Sequence, residues 1–157
     1  MNLLEILNQK TVIADGAMGT MLHARGVSFD KCFDELNLTN PAAVADVHRE
    51  YIEAGAQLII TNTFGANRFK LGKYGLQDKI AEINRAGVEL ARRAIAASFK
   101  EGVLVAGDVG PLGVRIAPYG RIKTEEARAA FEEQIQALAD AGVDLIVIET
   151  MSALYEI

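Results

Sequence analysis

Residues 53–61 read EAGAQLIIT, and residues 140–148 repeat the pattern as DAGVDLIVI. Each copy contains the end of a helix, a glycine that stops the helix, and a run of apolar, mostly branched residues. Such a run, without alternating polar residues, is typical of a strand that is buried on both faces of a parallel sheet. The repeat therefore predicts a chain built from successive βα units.

Four strands of this kind are predicted, at residues 11–14, 57–61, 103–106 and 143–148. Strands about 45 residues apart and separated by helices imply a parallel α/β sheet with right-handed crossovers, either doubly wound or closed as a barrel. Eight such units would need roughly 350 residues. Residues 1–157 are therefore expected to form one domain, which in the barrel alternative would be a little under half of the eight units.

Helices are predicted between the strands from their caps and their apolar stripes. Asn40 is a suitable N-cap for a helix that begins at the following proline, and Thr124 is a suitable N-cap for a later one. A long helix is predicted over residues 78–97, where Gly87 lies in the buried stripe and indicates close packing. Residues 23–38 show no periodicity and are predicted to be a surface loop.

The composition excludes several classes of partner. The formal net charge is −5, and no stripe of lysine and arginine could follow a phosphate backbone, so a nucleic-acid partner is not expected. The single cysteine, Cys32, cannot form an internal disulfide. The N-terminus lacks the pattern of a secretion signal, and no apolar stretch approaches the roughly 20 residues that cross a bilayer. A cytoplasmic protein without a membrane partner is therefore expected.

Polar and acidic residues follow each predicted strand: Asp15 within the stretch 11–20 (TVIADGAMGT), Asn62 and Thr63, Asp108, and Glu149. Because the carboxyl ends of parallel strands meet at one mouth, these groups are expected to gather there. Several acids at one mouth favour binding of an ammonium group or a metal ion. The competing interpretation is that an acid caps the next helix or accepts hydrogen bonds from its loop, and it weakens when all the acids are considered together.

The remaining motifs do not predict a specific binding site. The stretch 15–20 lacks the Gly-Lys-Ser/Thr end of a P-loop and the three glycines of a dinucleotide fingerprint. His23, His48 and Cys32 have no zinc spacing, and both histidines are interpreted as ordinary surface or packing residues.

Five motifs, in this order, carry a resemblance to a known family: DGAMGT at 15–20, ELNLTNP at 35–41, TNTFG at 61–65, GPLG at 110–113 and IET at 148–150. The sequence resembles the N-terminal half of a homocysteine S-methyltransferase domain, as in cobalamin-dependent methionine synthases and the betaine and S-methylmethionine enzymes. The TNTFG motif lacks the tyrosine of the betaine enzymes, so the chain is more similar to the bacterial methionine-synthase branch.

The resemblance implies a (β/α)8 barrel enzyme in which zinc binds the homocysteine thiol and a methyl group is transferred to sulfur, giving methionine. Zinc-bound thiols are deprotonated and therefore reactive. By the same resemblance, Asp15 and Glu149 bind the amino group of homocysteine. Backbone N–H groups around Gly16 and the loop of Asn62 and Thr63 help to hold the amino-acid end.

The resemblance also implies what this chain lacks. The zinc ligands of the family are three cysteines on later strands, and Cys32 corresponds to none of them. The chain is therefore expected to be the substrate-recognition half, inactive alone and prone to self-association through the open edges of its first and fourth strands. The methyl donor, whether methylcobalamin, methyltetrahydrofolate, S-methylmethionine or betaine, is not specified by these residues.

Two other interpretations remain open from the residues alone. One is a different barrel enzyme that binds a phosphorylated small molecule, with the glycine-rich loop 107–113 as the anion cradle. The other is a non-catalytic binding or assembly module.

Overall fold

The computed structural model describes residues 3–157, and its centre is a parallel sheet of three strands. The strands are β1 (Leu58–Ile60), β2 (Leu104–Val109) and β3 (Leu145–Ile148), in the order β1-β2-β3. Leu58 pairs with Leu104, and Ala106 pairs with Leu145. The predicted α/β class and parallel strand direction are confirmed. β2 runs to Val109, so the first residues of the predicted loop 107–113 belong to the strand.

Residues 11–15 extend the sheet beyond β1 but do not form a regular strand. Ala14 makes one parallel bridge to Leu58, and the Asp15 N–H donates to Leu58 O at 2.9 Å. The prediction that residues 11–14 are buried on both faces is wrong, because 60% of Ile13 is exposed. This segment has β1 on one side only, and no other strand of residues 3–157 covers it.

Within the described part of the chain, seven α-helices accompany the sheet: α1 (Leu3–Gln9), α2 (Met18–Ala24), α3 (Leu36–Thr39), α4 (Pro41–Ala54), α5 (Arg68–Gly72), α6 (Ile80–Ser98) and α7 (Thr124–Asp140), with 3-10 turns at Gln77–Lys79 and Leu154–Glu156. The region 23–38, predicted as a loop, contains the end of α2 and most of α3. None of these helices is long and apolar enough to cross a membrane.

The helix caps confirm one prediction and correct another. The Asn40 side chain accepts a hydrogen bond from the Ala43 N–H, as expected for the N-cap of α4. Thr124 is not a cap but the first residue of α7, and the N-cap is Lys123. The Glu126 carboxylate accepts a hydrogen bond from the Lys123 N–H at 2.9 Å, which is the bond that an acid at the third helical position makes in a capping box.

The main core lies between one face of the sheet and the crossover helices α4, α6 and α7. Its fully buried side chains include Ile59, Val88, Val105 and Leu138. Gly107 lets α7 approach the sheet, because a Cβ atom at this position would lie 3.1 Å from Leu138 Cδ1. The helices therefore cover one face of the sheet and hold its strands in register.

Gly87 of α6 is a second close approach, as its place in the buried stripe predicts. A Cβ atom there would lie 2.8 Å from Thr63 Cγ2 and 2.9 Å from Asn37 Nδ2. Both neighbours are buried and hydrogen-bonded, so they have little freedom to move.

We expect Gly87→Ala to lower the free energy of unfolding by about 1–3 kcal/mol through overpacking, against a gain of about 1 kcal/mol in helix propensity. The matched control is Gly19→Ala in α2, where a Cβ atom meets nothing within 4 Å and only the propensity gain applies. Urea unfolding of both variants checks this. Equal stabilisation of the two variants would show that α6 does not need the glycine.

Candidate functional site

A cavity of about 470 Å³ opens at the carboxyl ends of the strands. Asn62, which follows β1, Asp108 of β2 and Glu149, which follows β3, all contribute to its lining. Met18 and Gly19 of α2 line it as well, whereas Asp15, Gly16 and Thr63 do not. The structure thus brings three of the strand ends to one cavity, as expected for a parallel α/β sheet.

Asp15 lies at the end of the edge segment, beside β1. Its Oδ2 atom accepts a hydrogen bond from the Ile60 N–H at 3.0 Å, and its Oδ1 atom is buried with no partner among residues 3–157. Burial raises the pKa of Asp15 to about 7, and the negative charge of Glu149 adds to the increase. The two acids therefore interact electrostatically, although only Glu149 lines the cavity.

Asp108 is the acid that the assignment by family resemblance omits. Burial raises its pKa to about 8, and the charge of Glu149 and a hydrogen bond with it add to the increase. Its Oδ1 atom is buried and receives no hydrogen bond from an N–H or O–H group of the described residues. The rule that strand ends carry functional groups already indicated Asp108, so the sequence contained the signal that identifies it.

Buried hydroxyl and amide groups fix the ends of β1 and β2 to each other. Thr61 Oγ1 accepts from the Asp108 N–H at 3.0 Å, and Thr63 Oγ1 donates to Asp108 O at 2.9 Å. Gln134 of α7 donates to Thr63 O at 2.7 Å. Thr63 is fully buried and its own N–H donates to Thr61 O, so its contacts here are structural. Its role in substrate binding stays a prediction.

Asn62 and Gly16 are each held by a neighbouring element. Asn62 Nδ2 donates to Phe33 O at 2.8 Å and to Asn37 Oδ1 at 3.1 Å, which fixes its side chain at the cavity wall. At Gly16 a Cβ atom would lie 2.8 Å from the Tyr51 hydroxyl, which donates to Ala17 O at 3.1 Å. A side chain at residue 16 would therefore require the Tyr51 ring to shift.

Part of the cavity lining is basic and aromatic. It contains Phe64, Lys70 and Lys73, and the Lys70 ammonium lies 4.1 Å from the centroid of the Phe64 ring. Asp34 also lines the cavity, but its Oδ1 atom accepts from the Gly65 N–H at 2.8 Å. The cavity therefore offers both negative and positive charge to a ligand.

The described residues do not fit a zinc ion. Within residues 3–157 no group of three or more histidine, cysteine or acidic side chains is arranged to hold a metal. Burial, followed by the charge of Asp34, raises the pKa of Cys32 to about 11, whereas zinc binds a thiolate. His48 is fully buried with neither ring nitrogen hydrogen-bonded within the described chain, and burial lowers its pKa to about 4.

The loop after β2 is not shaped as a phosphate cradle. The Gly110 N–H donates to Phe64 O at 3.2 Å, and the Leu112 N–H donates to the Glu156 carboxylate at 3.1 Å. An anion cradle needs such N–H groups to be free. The geometry therefore argues against the phosphorylated-substrate interpretation.

Comparison with known proteins identifies the family. The sequence model of the homocysteine S-methyltransferases matches residues 12–157. The methionine synthase of Mycobacterium tuberculosis is 35% identical over 164 residues, which cover 99% of this chain and 14% of that protein. Crystal structures of the Escherichia coli homocysteine methyltransferase MmuM in its metallated and oxidized forms are both 32% identical, with TM-scores of 0.83 and 0.85.

These structural matches cover 98% of this chain and 59% and 58% of MmuM, so the chain spans only part of each relative. The mixed α/β fold with its small parallel sheet is consistent with part of a (β/α) barrel, as predicted. Sequence and structure agree over nearly all of the described residues. The chain therefore belongs to the homocysteine S-methyltransferase family.

Proposed function

We propose that the whole protein transfers a methyl group to the sulfur of homocysteine, giving methionine, and that residues 1–157 form the N-terminal half of its (β/α)8 domain. In this proposal the chain recognises the amino-acid part of the substrate. Asp15, Asp108 and Glu149 would bind the substrate ammonium group, with Gly16, Asn62 and Thr63 shaping the loops around it. Family membership supports the reaction, and the cluster of acids at the cavity supports the division of labour.

The observation that carries the proposal is the group of acids at the strand ends, in which the buried Oδ1 atoms of Asp15 and Asp108 have no hydrogen-bond partner among the described residues. Asp15 and Asp108 are destabilised as anions by burial and by Glu149. A cation placed among like charges in a partly buried site reverses this penalty, because each carboxylate then gains an opposite charge. An ammonium group also donates three hydrogen bonds, which suits acids whose Oδ1 atoms lack donors.

Zinc dependence of the whole protein is part of the proposal. MmuM has been solved in a metallated form, and the resemblance places the family's cysteine ligands on later strands. Because the described residues do not fit the metal, we assign none of them to it. The proposal names no methyl donor, because the residues of this chain do not specify one.

We expect the affinity for L-homocysteine to fall about tenfold from pH 8 to pH 6, because Asp15 and Asp108 take up protons in this range and lose their attraction for the ammonium group. Glu149→Gln should weaken binding and move this pH dependence to lower pH, since it removes a charge that raises both pKa values. Titration calorimetry at several pH values checks both effects.

Glu53→Gln is the control, since Glu53 is an exposed acid on α4 that pairs with Arg49 at 3.8 Å. It should leave both the affinity and its pH dependence unchanged. An affinity for homocysteine that is constant between pH 6 and pH 8 would contradict the assignment of the acids.

The 157-residue chain alone is expected to form no methionine when supplied with zinc, homocysteine and each of the four candidate donors. The physical reason is that the described part of the chain, residues 3–157, provides no metal site to deprotonate the thiol. Mass spectrometry of the products checks this, with the whole protein assayed in parallel. Zinc-dependent methionine formation by the chain alone would refute the division of labour.

The isolated chain is also expected to self-associate. The edge segment 11–15 and β3 each have a neighbouring strand on one side only within the described chain, and 60% of Ile13 and 55% of Ile148 are exposed. Unpaired edges with apolar side chains favour strand addition. Light scattering should show a dimer or larger species that Ile148→Lys shifts towards monomer, and a monodisperse wild-type monomer would contradict this.

A further inference from the structure

Gln134 of α7 is a polar side chain that is fully buried beneath the strand ends. Its amide nitrogen donates to Thr63 O at 2.7 Å and to Asp108 O at 3.3 Å. The orientation of the amide follows from these contacts, because both partners are carbonyl oxygens and only the nitrogen of the amide can donate to them. One side chain of α7 therefore bonds the loop after β1 and the end of β2 at the same time.

The regular ladder between β1 and β2 ends before it reaches Asp108. The last paired residue of β2 is Ala106, whose carbonyl accepts from the Thr61 N–H at 2.9 Å. Two residues further along β2, the Asp108 N–H donates to the hydroxyl of Thr61. The Asp108 carbonyl accepts from the hydroxyl of Thr63 and from the amide of Gln134. Side chains therefore hold the backbone of Asp108 on the β1 side, where β1 itself has ended.

The apolar packing of α7 does not explain a glutamine at this position. Ala130 and Leu138 lie one turn before and one turn after Gln134 on the same face of the helix, and both are buried. The Oε1 atom of Gln134 is buried and has no hydrogen-bond partner among the described residues. An unsatisfied buried acceptor lowers stability. The contribution of the amide therefore lies in the two carbonyls to which it donates.

The two bonded carbonyls belong to segments that line the cavity. Asp108 lines it directly, and Thr63 lies between Asn62 and Phe64, which line it as well. The Asp108 carboxyl is hydrogen-bonded to Glu149, and the charge of Glu149 acts against its ionised form. Like charges repel, so a fixed backbone is needed to keep the two acids side by side.

We propose that Gln134 is a positioning residue for ligand binding, because its bonds to the Thr63 and Asp108 carbonyls hold the Asp108 carboxyl beside Glu149 at the cavity. Gln134 does not line the cavity, so it acts through Asp108 and not on the ligand. This inference rests on the proposed function, in which Asp108 binds the substrate ammonium group. It adds to that function a residue of a crossover helix.

The test compares two variants of α7 in the whole protein. Gln134→Met keeps the length of the side chain but removes both donated bonds, so it should weaken L-homocysteine binding about tenfold. Leu138→Val is the matched control, since it removes one methylene group from the core and bonds no carbonyl. It should lower stability but change the affinity less than about twofold. Titration calorimetry gives the affinities, and urea unfolding gives the stabilities.

A second readout needs no ligand. Gln134→Met should lower the pKa of Asp108 from about 8, because the charge of Glu149 and the hydrogen bond with it contribute to that value. Carbon-13 NMR titration of the aspartate carboxyl groups checks this, and Asp108→Asn identifies the signal. Leu138→Val should leave the pKa of Asp108 unchanged, since a loss of stability alone does not move the two acids apart.

The positioning role of Gln134 requires both effects, the weaker binding and the lower pKa. An unchanged value of either one in Gln134→Met, or equal changes in Leu138→Val, would overturn it. The proposed function would survive that result if the wild-type protein binds homocysteine and Glu149→Gln weakens the binding. A wild-type protein that binds no homocysteine would overturn the proposed function and, with it, the role of Gln134 in ligand binding.

Discussion

The site depends on the hydrogen bonds that join the end of β1 to the end of β2. Thr61 and Thr63 each bond the backbone of Asp108, and Gln134 adds a bond from α7. All of these groups are buried, so water cannot replace a bond that is lost, and a missing partner would leave an unsatisfied polar group. The position of the Asp108 carboxyl follows from this arrangement. The same hydrogen bonds also set the position of Asp108 relative to the loop that carries Phe64.

Much of the fold was predictable from local patterns, for reasons that particular residues illustrate. The helix, glycine and strand of residues 53–61 and 140–148 are encoded within a few residues of each other, and Asn40 caps its helix through a neighbour three positions on. The exposure of Ile13 was not predictable, because an apolar run does not show whether its strand lies at the centre or at the edge of the sheet. Burial of a strand depends on its neighbours, which a local pattern does not contain.

The acidic and the basic residues at and near the cavity differ in the same way. Strand-end position was enough to indicate Asp15, Asp108 and Glu149, because parallel strands bring their carboxyl ends together whatever the loops do. Lys70 has no comparable signal. Its placement requires Gly65 and Gly113, which lie on different loops and meet only in the folded chain. The sequence around Lys70 contains no pattern that indicates this packing, because the two glycines are distant from each other along the chain.

The crowded acids also bear on how the protein can change by selection. With pKa values of about 7 and about 8, Asp15 and Asp108 bind protons more tightly in the folded chain than at their ordinary value of 3.8. Their contribution to stability is therefore present at acidic pH and is lost as the pH rises towards those values. Selection for thermal tolerance alone at pH 8 would favour asparagine at both positions. Retention of the acids would then record a trade in which ligand recognition outweighs stability.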